Sequence, residues 1–213
     1  MREYEAVVFD MDGVIFDSEK KVVECWQVLA DKYGFTGIEE ACRACLGTTK
    51  EKSKEIMLQR YGEDFPYETY SAEASKLFHE RYDGGRLPKK TGIEKILQAL
   101  SQEGKKIALA SSTRRQTVES QLREAGLIGY FDKIICGDMV EKSKPEPDIY
   151  IRACKELGVL PEQAYAIEDS YNGIRSAYRA GMRPIMVPDM VPPDEEMRKF
   201  CLLYTSDAAD EAR

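Results

Sequence analysis

The stretch that decides the fold is residues 6–13, Ala-Val-Val-Phe-Asp-Met-Asp-Gly. Its first four residues are apolar without alternation, which is typical of a strand buried on both faces of a parallel sheet. Two carboxylates and a glycine follow directly. Because ligands of open α/β sheets bind beyond the carboxyl ends of the strands, the sequence predicts a functional site where this strand ends.

Further apolar runs of the same kind occur at residues 107–110, 134–136, 165–167 and 184–187. Between them, apolar residues recur at helical spacing, and each pattern ends on a glycine, the usual C-terminal stop of a helix. Strands that alternate with helices predict an α/β fold, here a Rossmann-like parallel sheet with right-handed crossovers.

The alternation breaks after the first strand, because residues 17–87 contain helical patterns and no strand-like run. These patterns cover residues 18–33, 50–61 and 67–82. A loop between strand and helix normally has ~2–6 residues, so this block is too long to be one. We therefore predict a small helical cap at 17–87, inserted into a discontinuous α/β core of residues 1–16 and 88–200.

Composition narrows the class of protein. The 213 residues include 31 basic and 38 acidic ones, a net charge of −7, which argues against a general nucleic-acid binder. No apolar run reaches the ~20 residues of a membrane helix. The six cysteines are irregularly spaced and no secretion signal is recognisable, which is typical of reduced thiols. We expect a cytoplasmic monomer with no nucleic-acid or membrane partner.

The predicted sheet edge collects carboxylates, hydroxyls and one lysine. They are Asp10, Asp12, Ser111, Ser112, Lys144, Glu168 and Asp169. Clustered carboxylates repel one another unless a cation neutralises them, and oxygen ligands without nearby His or Cys favour Mg²⁺. A Mg²⁺ site flanked by a lysine and hydroxyl donors suits a phosphoryl group. A carboxylate beside phosphorus can act as the nucleophile, and a second one as acid and base.

Four ordered segments resemble the motifs of the haloacid dehalogenase-like hydrolase superfamily across roughly residues 4–190. They are residues 9–14, Ser111, residues 144–147 and residues 168–173. The helical insertion resembles the cap of the β-phosphoglucomutase and phosphoglycolate-phosphatase-like branch. The resemblance implies that Asp10 attacks phosphorus and carries the phosphoryl group. It also implies that Asp12 serves as acid and base.

The same resemblance implies the ligands of both the ion and the phosphate. Mg²⁺ is expected on the Asp10 carboxylate, the Asp12 main-chain carbonyl and Asp169, with Glu168 in or next to the coordination sphere. Ser111 and Lys144 are expected to bind phosphoryl oxygens, with Ser112 beside them. Gly13 is expected to let the loop turn tightly beside the phosphate.

The cap departs from the mutase pattern at two places. Lys50 stands where mutases have an arginine, so a point charge replaces a bidentate phosphate grip. No histidine lies near Val22, where mutases carry one. We therefore predict a phosphatase for a small phosphorylated metabolite, such as a sugar phosphate, with Lys50 contacting the substrate. A β-phosphoglucomutase-type mutase is the alternative, and a non-enzymatic phosphoacceptor is less favoured.

The C-terminal segment has a different character. Residues 201–211, Cys-Leu-Leu-Tyr-Thr-Ser-Asp-Ala-Ala-Asp-Glu, resemble the translation of a transposase-type sequencing adaptor. We expect residues 201–213 to be read-through rather than native sequence.

Overall fold

A computed structural model describes residues 3–46, 48 and 50–203. Within this part of the chain, one parallel sheet contains six strands in the order β3-β2-β1-β4-β5-β6. The strands are β1 (Ala6–Phe9), β2 (Lys106–Ser111), β3 (Lys133–Cys136), β4 (Ala164–Glu168), β5 (Arg183–Met186) and β6 (Leu202–Leu203). The predicted Rossmann-like α/β fold is confirmed, and β1 lies at its centre.

Helices cover the sheet and fill the insertion. Between β1 and β2 lie α1 (Ser18–Tyr33), α2 (Ile38–Cys45), α3 (Lys50–Tyr61), α4 (Tyr67–Tyr82) and α5 (Ile93–Gln102). The later helices are α6 (Arg115–Glu124), α7 (Asp148–Leu157), α8 (Tyr171–Arg179) and α9 (Glu195–Phe200). The sequence patterns predicted α1, α3 and α4 but missed α2. Its short buried face consists of Ile38, Ala41 and Cys42, too few positions to show a period.

Side chains of β1 alternate between two hydrophobic clusters on opposite faces of the sheet. Val7 and Phe9 belong to one cluster, and Ala6 and Val8 to the other. All four are buried, because each packs into the cluster on its own face of the sheet. Burial on both faces explains why the run is continuously apolar rather than alternating.

We call the four helices α1–α4 the helical insert. They share a third hydrophobic cluster, which includes Trp26, Leu29 and Tyr70. The chain leaves and re-enters the sheet part at adjacent positions, because the Asp17 amide donates to the Pro88 carbonyl at 2.9 Å. The domain boundaries at 17 and 88 stay a prediction.

No helix in the described part of the chain is long and apolar enough to cross a membrane.

At one edge of the sheet, β6 pairs with β5 through Ile185 and Leu202. This short strand falls within the segment predicted to come from an adaptor. Residues 204–213 of that segment lie outside the described residues.

Candidate active site

The parallel register places the ends of β1, β2 and β4 at one level. Phe9 is the partner of both Leu109 and Ile167, so the residues after them emerge together. The Asp10 amide donates to the Ile167 carbonyl at 2.9 Å. A cavity of about 380 Å³ opens at this edge. Among its lining residues are six of those predicted from sequence: Asp10, Asp12, Lys50, Ser112, Lys144 and Asp169.

The Lys144 ammonium connects three residues of the site. It donates to a carboxylate oxygen of Asp10, to Glu168 Oε1 at 2.7 Å and to the Ala110 carbonyl at 2.9 Å. Burial alone would lower the pKa of Lys144, but the Asp10 and Glu168 carboxylates more than offset this and raise it. Lys144 therefore stays charged at neutral pH and joins the strand ends electrostatically.

Asp10 itself is only 7% exposed. Burial raises its pKa well above the ordinary range, and the neighbouring Glu168 and Asp12 charges act in the same direction, while Lys144 opposes them. A cation next to this carboxylate would favour its ionised form.

Both carboxylate oxygens of Glu168 accept hydrogen bonds from the protein. Oε1 accepts from Lys144 and from the Tyr150 hydroxyl at 2.7 Å, and Oε2 accepts from the Ser170 hydroxyl at 3.1 Å. Gly173 lies against this carboxylate, since a Cβ at that position would stand 1.9 Å from Glu168 Cδ. Glu168 is fully buried, and its contacts orient Lys144.

Asp169 lies against Gly13. A Cβ on Gly13 would stand 2.0 Å from Asp169 Oδ2, and the Gly13 φ of +76° is in the left-handed region that favours glycine. Burial raises the pKa of Asp169, and the Glu19 and Glu168 charges raise it further. The predicted tight turn at Gly13 thus serves the approach of a carboxylate.

The Asp12 carboxylate is held by two hydroxyls that sequence reasoning did not assign. Ser18 donates to its Oδ1 at 2.7 Å, and Thr113 donates to its Oδ2 at 3.1 Å. The Thr113 amide also donates to the Ser111 hydroxyl at 3.1 Å, and Ser111 is fully buried. Ser112 rather than Ser111 lines the cavity. The phosphate-binding roles predicted for these serines stay predictions.

The helical insert contributes Glu19 and Lys50 to the cavity. Burial, followed by the charges of Asp12 and Asp189, raises the pKa of Glu19 to about 7. Sequence reasoning missed Glu19, because an acid in the first turn of a helix is the ordinary partner of the helix dipole. Lys50 is largely exposed and pairs with Glu68 at 3.3 Å. Its neighbours Gly47 and Thr49 lie outside the described residues.

The donor set fits a hard divalent cation. Asp10, Glu168 and Asp169 are buried, and each offers a carboxylate oxygen within 4.8 Å of the other two. All three candidate donor groups are carboxylates, whose oxygens Mg²⁺ prefers, and their mutual repulsion would be relieved by a cation beside them. Buried clustered carboxylates, a charged lysine and hydroxyls beside a cavity are the kinds of group that phosphoryl transfer uses.

Comparisons with known proteins agree with this class. Residues 7–187 match the haloacid dehalogenase-like hydrolase family, and the chain belongs to it. A phosphorylated carbohydrates phosphatase from Thermotoga maritima is 32% identical over 85% of this chain and 83% of that protein. A β-phosphoglucomutase from Bacillus subtilis is 33% identical over 84% and 80% of the two chains. The chain is a phosphoric monoester hydrolase by class.

A solved structure supports the same assignment. The crystal structure of CbbY from Rhodobacter sphaeroides in complex with phosphate has a TM-score of 0.73 and 31% identity to this chain. The match covers 94% of this chain and 93% of that one.

Proposed function

We propose that the protein is a Mg²⁺-dependent phosphatase that hydrolyses a small phosphorylated carbohydrate or a related metabolite through an aspartyl-phosphate on Asp10. One observation carries the proposal. The Lys144 ammonium joins Asp10 and Glu168 at the wall of a cavity that Asp12 also lines. This arrangement supports Asp10 as the nucleophile, Asp12 as the acid and base, and Lys144 as a fixed positive charge beside the bound phosphoryl group.

In the first step, a carboxylate oxygen of Asp10 attacks phosphorus in line with the ester oxygen. The new bond forms between Asp10 and phosphorus while the phosphorus–ester oxygen bond breaks. Asp12 gives its proton to the leaving oxygen, so the alcohol departs neutral. The hydroxyls of Ser18 and Thr113 hold the Asp12 carboxyl group in one orientation for this transfer.

In the second step, water attacks the phosphorus of the aspartyl-phosphate. Asp12, now a carboxylate, takes a proton from that water, the bond between phosphorus and Asp10 breaks, and inorganic phosphate leaves. Lys144 stays within reach of the reacting carboxylate and stabilises negative charge that develops there. Asp10 returns to a free carboxylate and Asp12 to a carboxylic acid, which makes the cycle catalytic.

Asp10 and Asp169 would hold Mg²⁺, with the Asp12 main-chain carbonyl as a third ligand. Glu168 acts through Lys144, because both its oxygens already accept hydrogen bonds from the protein. Bound Mg²⁺ supplies charge neutralisation for the carboxylates and for the phosphoryl oxygens.

The size and the polar lining of the cavity favour a small polar substrate. Its volume of about 380 Å³ is at the small end of the range for ligand sites, and Lys50, Ser112 and Asn172 are among its lining residues. A relative named as a phosphatase of phosphorylated carbohydrates suggests the same substrate class for this chain.

A panel of phosphate esters, assayed by phosphate release, tests the proposal. We expect Mg²⁺-dependent release from sugar monophosphates, loss of release in EDTA, and no release by Asp10→Asn. Release that persists in EDTA would refute the Mg²⁺ assignment. Activity of Asp10→Asn equal to wild type would refute the nucleophile. Adding a sugar bisphosphate to the same panel distinguishes the mutase alternative, which would yield an isomerised sugar phosphate instead of free phosphate.

A further inference from the structure

The segment after β5 contacts the helical insert both beside the chain crossings and at α2. We call residues 187–193 the strap. It begins beside the site, since the Val187 amide donates to the Glu168 carbonyl at 2.7 Å. Two residues later, the Asp189 side chain is only 3% exposed. The strap therefore carries a buried carboxylate next to the catalytic edge of the sheet.

Asp189 binds two lysines from different parts of the chain. Its Oδ1 lies 2.8 Å from the Lys20 ammonium on the first turn of α1, and 2.7 Å from the Lys90 ammonium. Asp17, at the entrance to the insert, lies 3.0 Å from Lys90 and 3.3 Å from Lys20. This four-residue ion-pair network links the strap, the insert and the crossing point of the chain.

The strap has two further attachments to the insert. Met190 is 8% exposed and belongs to the hydrophobic cluster of the insert, together with Trp26. The Met190 carbonyl accepts a hydrogen bond from Arg43 of α2 at 3.3 Å. The strap thus makes ionic, apolar and hydrogen-bond contacts with the insert.

These contacts lie where α1 approaches the candidate catalytic carboxylates. Glu19, Asp169 and Asp189 each place a carboxylate oxygen within 4.8 Å of the other two. Such crowding of like charges opposes the approach of α1 to the sheet edge, and the lysine pairs of Asp189 counteract this repulsion. A hydrophobic contact by Met190 alone would hold the insert with less control over its orientation, because apolar packing is not directional.

We propose that Asp189 is a positioning residue that, through Lys20, holds the helical insert closed over the catalytic edge, with Met190 as its apolar anchor. The measurement of KM described below rests on the proposed function, whereas the fluorescence measurement does not. If the pair is lost, a smaller fraction of the protein is closed, and substrate binding must restore closure. Apparent affinity then falls in proportion to that fraction, while the rate at saturation changes little.

Lys20→Gln is the cleanest test, because it removes the arm on the insert and leaves the pair between Asp189 and Lys90. Lys20→Arg keeps the charge and serves as the conservative variant. Glu156→Gln is the matched control, since it removes an exposed ion pair with Arg152 within α7. Lys20 is half exposed, so we expect all three variants to fold.

Two measurements report the result. Trp26 is the single tryptophan of the chain and shares the Met190 cluster, so acrylamide quenching of its fluorescence reports separation of strap and insert. We expect Lys20→Gln to raise the quenching constant. We also expect it to raise KM roughly tenfold, within the usual range of coupling energies, with kcat nearly unchanged. Lys20→Arg and Glu156→Gln should stay close to wild type in both.

The outcomes decide the proposal separately from the proposed function. If Lys20→Gln behaves like Glu156→Gln in quenching and in KM, the proposal is wrong. A rise in quenching without a rise in KM also overturns it, because the strap would then hold the insert without positioning it for substrate. If the wild type releases no phosphate from any ester, the proposed function fails. The affinity for inorganic phosphate, measured by calorimetry, then replaces KM as the readout.

Discussion

Replacing Gly173 by alanine tests whether the position of the Glu168 carboxylate contributes to the stability of the fold. Gly173 is the third residue of α8, and its amide donates to the Ser170 hydroxyl at 3.0 Å. A Cβ there would stand 1.9 Å from Glu168 Cδ and 2.0 Å from both carboxylate oxygens. Gly173→Ala must therefore displace the Glu168 carboxylate.

The expected cost follows from the contacts that Glu168 would lose. It is fully buried and accepts from Lys144 and Tyr150, each at 2.7 Å. Hydrogen bonds to a charged group contribute about 1.5–3 kcal/mol each. Alanine favours a helix over glycine by up to about 1 kcal/mol, which offsets part of this loss. We expect Gly173→Ala to lower the free energy of unfolding by about 3 kcal/mol, a net estimate from these contributions.

Urea unfolding of a double-mutant cycle measures this coupling. Glu168→Ala removes the side chain that the new Cβ would strike. In that background, Gly173→Ala should be neutral or stabilise by up to about 1 kcal/mol through helix propensity. The reasoning is refuted if Gly173→Ala costs the same in both backgrounds, or if the single variant is more stable than wild type with an unchanged denaturant slope.

Three further predictions concern the cavity. Gly13→Ala should weaken Mg²⁺ activation by roughly 10–100-fold, because its Cβ would displace Asp169, the carboxylate proposed to hold the ion. Gly34→Ala, at a similar φ of +79° but with open space around it, should not weaken it. Because the pKa of Glu19 is raised to about 7, stability in EDTA should fall as pH rises from about 4.5 to 7. Glu19→Gln should reduce this fall in stability, measured as the difference between the urea unfolding midpoints at pH 5 and pH 8. If wild type and Glu19→Gln show the same difference, the raised pKa of Glu19 is contradicted. Lys50→Ala should raise KM a few-fold, by roughly the strength of one exposed charge contact, whereas Lys52→Ala on the same helix should not.

The sheet and its edge could be predicted because their signals are local. Burial of β1 on both faces makes residues 6–9 continuously apolar, and the strand ends at the first polar residue, Asp10. The parallel topology then places Glu168 and Asp169 beside it, so the carboxylate cluster follows from the strand order. The helical insert was recognised by the absence of strand-like runs.

Contacts between distant residues had no comparable signal. Thr113 donates to Asp12 across 101 positions of sequence. A threonine after a predicted strand is common, so the sequence gives no sign of this contact. Glu19 acquires its raised pKa only because the fold buries it near other carboxylates. Asp189 sits in a loop between prolines, where an acidic residue is ordinarily solvated, and only the folded chain shows it buried between two lysines.

The first turn of α1 connects the candidate catalytic acid with the strap. In the proposed mechanism, Asp12 must transfer protons in both directions, and one of the two hydroxyls that orient it belongs to Ser18. Two residues later on the same helix, Lys20 binds Asp189 of the strap. A displacement of α1 that breaks the pair with Asp189 would therefore also shift the hydroxyl that holds Asp12. If Asp189 holds the insert closed as proposed, closure of the insert and orientation of Asp12 are coupled through the first turn of α1. An open insert would leave Asp12 less well oriented, so the proposed hydrolysis would be fastest when the cavity is closed around a substrate.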